Sequence, residues 1–275
     1  MRRDHAEEVH EHDRGLSHDL PVLARRRMIR LVAGAGLIPL VGCSSQDETA
    51  AAPSSKGSGS ASPSAGCATI PDETAGPFPG DGSNGVNVLK ESGVVRSDIT
   101  QSFGDSAGGT AEGVPLTLTL TVVDAASGCG TPKKGAAVYL WHCDREGNYS
   151  LYSDGVTDEN YLRGVQETDD KGQVTFRSVF PGCYAGRWPH IHFEVYGGLA
   201  DATAATSITS TSQLAFPKDV CDTVYASDGY EASVRNLSGL SLETDGIFSD
   251  GYDRQLAAME GSVARGYTAT LTVPV

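Results

Sequence analysis

The stretch His190-Ile-His-Phe-Glu-Val-Tyr196 decides how the rest of this chain is read. Its β-branched and aromatic residues favour a strand over a helix. On a strand, residues i and i+2 point to the same face, so His190 and His192 project together, as a pair of metal-ligating imidazoles would. A bare His-x-His on a strand is also compatible with a core or surface position. The chain has seven histidines. Four of them (His5, His10, His12 and His18) fall in the first residues, which leaves only His142 beside the pair.

Working outward, the same period recurs. Val114-Pro-Leu-Thr-Leu-Thr-Leu-Thr-Val-Val123 alternates apolar residues with threonine, the pattern of a strand with one face in a core. Ala136 to His142, Gln173 to Phe180 and Tyr267 to Val273 read as further strands, the one from Gln173 launched by the turn Asp169-Asp-Lys-Gly172. Leucine at helical spacing is scarce, so long helices are not expected; the tail from Tyr252 to Glu260 is read as a short helix. Strands separated by Gly, Asp and Pro predict an all-β fold, a β-sandwich. No internal repeat is present.

Before this region the chain reads as a leader. Ala24-Arg-Arg-Arg-Met-Ile-Arg30 resembles a twin-arginine export signal. The apolar run Leu31 to Val41 follows, too short to span a bilayer, and ends in Leu40-Val-Gly-Cys43, which resembles a lipobox. The expected organisation is a signal peptide over 1–42, a Ser/Ala/Gly/Pro tether over 43–66 with Cys43 lipidated, and a folded domain over 67–275. Such a protein is exported and anchored by lipid to the outer side of the cytoplasmic membrane. The net charge of −14 argues against a nucleic-acid partner. With Cys43 assigned to lipid, Cys67, Cys129, Cys143, Cys183 and Cys221 remain. Disulfides are expected outside the cytoplasm, five is odd, and Cys183 is the expected unpaired thiol. The pairing of the others stays open, as does the role of residues 200–211; a homo-oligomer is compatible with the sequence.

Two histidines do not complete a metal site. The further candidates are Tyr149, in Asp144-Arg-Glu-Gly-Asn-Tyr-Ser150, and Tyr184, in Phe180-Pro-Gly-Cys-Tyr-Ala-Gly186. Trp141-His-Cys-Asp, Gly147-Asn-Tyr-Ser, Leu162-Arg-Gly, Thr168-Asp, Phe180-Pro-Gly-Cys-Tyr and Arg187-x-x-His-x-His follow one another in an order that resembles the intradiol ring-cleavage dioxygenases. This family includes the catechol 1,2-dioxygenases and the protocatechuate 3,4-dioxygenase subunits. Cys67-Ala-Thr-Ile-Pro-Asp-Glu-Thr-Ala-Gly-Pro-Phe-Pro79 resembles the start of its exported, lipoprotein-like members.

The resemblance implies a transthyretin-like sandwich with a non-haem Fe(III) site at one edge. Its ligands would be Tyr149, Tyr184, His190 and His192. Tyr184 would be the tyrosinate that leaves on substrate binding and takes up a substrate proton. Arg187 would stabilise negative charge developing on the substrate, and Gln213 would help bind it. The implied reaction cuts a small aromatic diol between its hydroxylated carbons with O2 and gives a muconate-type diacid. His142 and Trp141 read as structural. Two other readings compete: a non-enzymatic, tethered transthyretin-like binding module, which has no need of the Tyr/Tyr/His/His set, and a zinc hydrolase, which lacks an evident carboxylate ligand.

Overall fold

The computed structural model describes residues 67–275; the expected signal peptide over 1–42, Cys43 and the expected tether over 43–66 lie outside the described residues. Nine strands form two sheets. In the first, β1 (Pro115–Asp124) lies between β9 (Gly266–Pro274), parallel to it, and β5 (Gln173–Val179), antiparallel; β2 (Thr131–Pro132) pairs with the end of β1, and β8 (Ala258–Ser262) flanks β9. In the second, the order is β4 (Arg163–Glu167), β3 (Ala137–Trp141), β6 (His190–Tyr196) and β7 (Ile208–Ala215), all antiparallel. Two short helices, α1 (Lys218–Tyr225) and α2 (Glu231–Leu237), follow β7. Among the described residues, no helix is long and apolar enough to cross a membrane.

The alternation in β1 sends Leu116, Leu118, Leu120 and Val122 into one core with Val174 and Phe176 of β5, Val138 and Leu140 of β3, Ile191, Phe193 and Val195 of β6, and Leu271 and Val273 of β9. Side chains from both sheets thus share one apolar interior. Unlike β1, strands β3 and β6 are buried along their whole length. Their alternate residues, Tyr139 and Trp141 on β3 and His190, His192, Glu194 and Tyr196 on β6, occupy the opposite face. Residues 70–103 and the loop after β3 cover that face; Phe78, Val88, Leu89 and Val94 pack there against Tyr139, Trp141 and Tyr149.

Each of the five strands read from the sequence is found within a residue or two of its expected bounds. The turn before β5 depends on Gly172, whose φ is +73° and whose added Cβ would lie 2.3 Å from Val122 O. The expected helix over Tyr252 to Glu260 is not formed. Gln255 N and Leu256 N close a turn onto Tyr252 O, and from Ala258 the chain extends as β8 because β9 offers it a free edge. Residues 200–207 form turns, and β7 begins at Ile208. Among the described cysteines one disulfide forms, Cys67–Cys129. Cys183 is a free thiol as expected, but Cys143 and Cys221 are free and buried as well, so only one pair forms rather than two.

His142 joins the two sheets. From the end of β3 its Nε2 meets Ser178 Oγ on β5 at 2.7 Å, and its Nδ1 meets Cys143 O at 2.7 Å. Burial lowers its pKa from 6.5 to about 4. The folded chain therefore resists a proton that the unfolded chain accepts, so stability is lost as pH falls from 6.5 towards 4. The full loss from this residue is on the order of 3 kcal/mol. Urea denaturation of wild type and H142N across that window should show the difference between them shrinking as pH falls, with H142N flatter.

Candidate metal centre

The expected site residues come from four places and converge on the outer face of the second sheet. They are centred over β6, which is an interior strand, so the cluster sits above the sheet and not at its edge. Register explains the convergence. His192 lies opposite Trp141 on one side and Gln213 on the other. The Trp141 indole stacks on the His192 ring at 4.9 Å with 5° between planes, which fixes the imidazole plane. His190 Nδ1 is hydrogen-bonded to Trp188 O; a carbonyl only accepts, so the proton is on Nδ1 and the lone pair on Nε2. His190 Nε2 and His192 Nε2 are 3.1 Å apart, and Tyr184 Oη is 3.4 Å from His190 Nε2. The Tyr149 ring stands edge-on to Tyr184 and to His192, at 5.9 and 6.3 Å between centroids.

The second tyrosine is delivered by a tight loop. Asp144 Oδ1 accepts from Glu146 N and Asn148 N, and Tyr149 N donates to Ser153 Oγ. Tyr184 follows the Pro-Gly turn after β5, where Gly182 N donates to Asp144 O and so ties the two tyrosine loops together. The segment before Gly80 walls the site. Gly76, at φ +69°, lies against His192; a Cβ there would be 3.4 Å from Cε1. Arg163, fully buried, donates to Phe78 O, Pro79 O and Ser150 O, which locks this wall to the residue after Tyr149.

Burial raises the Tyr149 phenol well above its ordinary pKa, with Tyr184 adding to the shift. It also lowers both imidazoles well below theirs, with Arg187 contributing to each. As they stand, Tyr149, His190 and His192 are neutral. Tyr149 Oη is buried and has no hydrogen-bond partner. An orphaned phenol oxygen beside two imidazole nitrogens in mutual contact is a donor set short of a cation, and it fits a metal ion that accepts oxygen and nitrogen. No group of three or more His, Cys, Asp and Glu side chains able to hold a metal is found among the described residues; Tyr184 and Tyr149 stand beside the histidine pair.

Arg187 and Gln213, both expected at the site, are in contact: Arg187 Nη2 donates to Gln213 Oε1 at 2.6 Å, and Gln213 Nε2 donates to Thr74 O at 2.9 Å. The turns at 200–207 lead into β7, whose register sets Gln213 opposite His192. Sequence reasoning missed Asp245, which holds Arg187, and did not assign a role to Arg163 although the Leu162-Arg-Gly motif contains it.

These observations agree with the comparisons. Residues 94–237 match the family model described as Dioxygenase. A 55-residue stretch is 38% identical to chlorocatechol 1,2-dioxygenase of Rhodococcus opacus, covering 20% of this chain and 21% of that protein. A stretch of the same length is 40% identical to catechol 1,2-dioxygenase of a Pseudomonas strain, with 20% and 18% covered. The match therefore spans about a fifth of the length of these curated relatives. Among solved structures, the intradiol ring-cleavage dioxygenase from Tetranychus urticae aligns with a TM-score of 0.55 at 27% identity, over 67% of this chain and 87% of that one. A second dioxygenase aligns with a TM-score of 0.59 at 26% identity, over 76% and 94%. The chain belongs to the intradiol ring-cleavage dioxygenase family.

The orphaned oxygen makes a prediction independent of turnover. Leaving a buried polar group unsatisfied costs about 1–3 kcal/mol. In metal-free protein Y149F should therefore be more stable than wild type by about 1 kcal/mol, read from denaturant midpoints at unchanged m value.

Proposed function

We propose that this protein is an exported, lipid-anchored non-haem Fe(III) dioxygenase that opens a catechol-type ring between its two hydroxylated carbons. The observation that carries the reading is the convergence of Tyr149, Tyr184, His190 and His192, with the imidazole nitrogens 3.1 Å apart and the Tyr149 oxygen buried and unpartnered. These four residues would hold the iron. The chemistry it would supply is Lewis acidity, which would lower the proton affinity of phenols and make an aromatic diol reactive toward O2. The balance is one diol and one O2 to one diacid, with no reductant.

The remaining work falls to the chain. Tyr149, His190 and His192 are only 1–3% exposed, so the ligand side of the site is dry, while Tyr184 is half-buried. Tyr184 is thus the residue with room to move, and its phenolate oxygen is the acceptor for a substrate hydroxyl proton. His190 and His192 stay fixed, one by Trp188 O and the other by the Trp141 stack. Arg187 places a positive charge beside the cluster, where it stabilises the oxyanion that forms as the ring is attacked. Gln213, bonded to Arg187, faces the same space and orients the diol. The Cys67–Cys129 disulfide supports a location in an oxidising compartment, in keeping with the twin-arginine and lipobox resemblance that ends at Cys43.

The test is the visible spectrum of purified, iron-loaded protein with metal analysis on the same sample. A red-brown tyrosinate-to-iron band that shifts when catechol is added without oxygen is the expected result. With air admitted, one O2 should be consumed per catechol. H192A should lose the band and more than about 100-fold of turnover, beyond the 10–100-fold range of residues that only support ligands. Protein that stays colourless after iron reconstitution, or takes up only zinc, overturns the reading. For the location, C43S should move the protein from the membrane to the soluble fraction.

A further inference from the structure

Asp245 is fully buried, 58 residues beyond Arg187 in sequence, on the chain after α2. Both of its oxygens are used. Oδ2 accepts from Arg187 Nε at 3.1 Å and from Trp188 N at 2.7 Å. Oδ1 accepts from Ile247 N at 2.8 Å and from Phe248 N at 3.2 Å, so the carboxylate is itself held by its own turn. Arg187 is 1% exposed, and Phe248 lies beneath its guanidinium at 6.0 Å.

From these contacts, and resting on the function proposed above, we infer that Asp245 is the positioning residue of the site: one carboxylate that aims the Arg187 guanidinium and sets the Trp188 backbone that orients His190. The geometry runs along two arms. Through Arg187 Nε, Asp245 fixes the guanidinium plane so that Nη2 reaches Gln213 Oε1, and Gln213 in turn is tied to Thr74 O of the wall segment. Through Trp188 N, it fixes the peptide one residue further on, and the carbonyl of Trp188 takes the Nδ1 proton of His190. The same side chain therefore governs the direction of the positive charge and the tautomer of one expected ligand. A buried guanidinium also needs a counter-charge, and Asp245 is the carboxylate it meets.

A carboxylate is required, not merely an acceptor. An asparagine could satisfy Ile247 N and Phe248 N with its oxygen, but its amide would then point N–H at N–H toward Arg187 and Trp188. The guanidinium would lose both its partner charge and its fixed plane.

Two measurements test this. The first uses metal-free protein: solvent exchange of the Arg187 Nε proton by NMR. In wild type it should be slowed at least 100-fold relative to an exposed arginine, and in D245N that protection should be lost. The second is a double-mutant cycle on turnover by the iron-loaded enzyme. D245N should lower kcat by about 10–100-fold with little change in KM, the range expected for a residue that orients functional groups. In an R187Q background D245N should cost no more than the share that passes through Trp188, well under its loss in the wild-type background. D245E, which keeps the charge on a longer arm, should recover part of both signals, and it carries the same measurements should D245N fail to fold. Unchanged protection in D245N, or equal losses in the two backgrounds, overturns the inference. A wild-type protein that opens no catechol defeats the proposed function instead; the exchange measurement then decides alone whether Asp245 holds Arg187.

Discussion

Everything at this site depends on two strands that have no solvent face. In β3 and β6 every residue is buried, so the alternation that usually separates core from surface here separates two interiors. One face carries Val138, Leu140, Ile191, Phe193 and Val195 into the apolar core between the sheets. The other carries Tyr139, Trp141, His190 and His192 into a second interior, aromatic and apolar with polar groups among it, that must be closed by something else. Buried polar groups are costly unless partnered, and most of those here are. Tyr139 Oη donates to Pro79 O, the Trp188 carbonyl takes His190 Nδ1, and Arg163 places its donors on carbonyls and hydroxyls of two loops. Tyr149 Oη, His192 Nδ1, Trp141 Nε1 and Glu194 Oε1 are left short of partners on this face.

This arrangement explains why the covering segment 67–80 is conformationally demanding. It carries Gly76 and Gly80 at positive φ, and it bonds to β7 through Glu73 N to Thr211 O and Ser212 Oγ to Pro71 O. β7 is rich in Ser and Thr, and its buried Ser210, Ser212 and Gln213 serve the wall in place of the apolar core. Asp72, Pro71 and Thr74 are their partners. A strand whose buried face is polar is built to hold another chain segment against the sheet.

The same fact marks the limit of what the sequence reveals. Strands with apolar alternation, β1, β5 and β9, and the apolar run of β3 and β6, were legible because hydrophobic burial leaves a period. β7 and β4 were not, because Ser, Gln, Arg and Gly stand among their buried residues beside Val165, Leu214 and Ala215 and break the apolar period. The expected helix near Tyr252 failed for a related reason: the pattern there does not show that β9 offers an open edge to pair with. Within the site, the two tyrosines, two histidines, Arg187 and Gln213 were legible from motif order. Asp245 was not, since an Asp-Gly turn among several in the tail carries no mark of the guanidinium it meets.

The disulfide between Cys67 and Cys129 has a mechanical consequence. The wall segment starts immediately after Cys67, and Cys129 sits just past the end of β1, the central strand of the first sheet. Any pull on the chain before residue 67 is carried across the sulfur bridge into the loop after that strand. It does not run along residues 68–80. The hydrogen bonds of the wall segment, Glu73 N to Thr211 O and Gln213 Nε2 to Thr74 O, are therefore bypassed by the load, and the site is isolated from strain in the chain before residue 67.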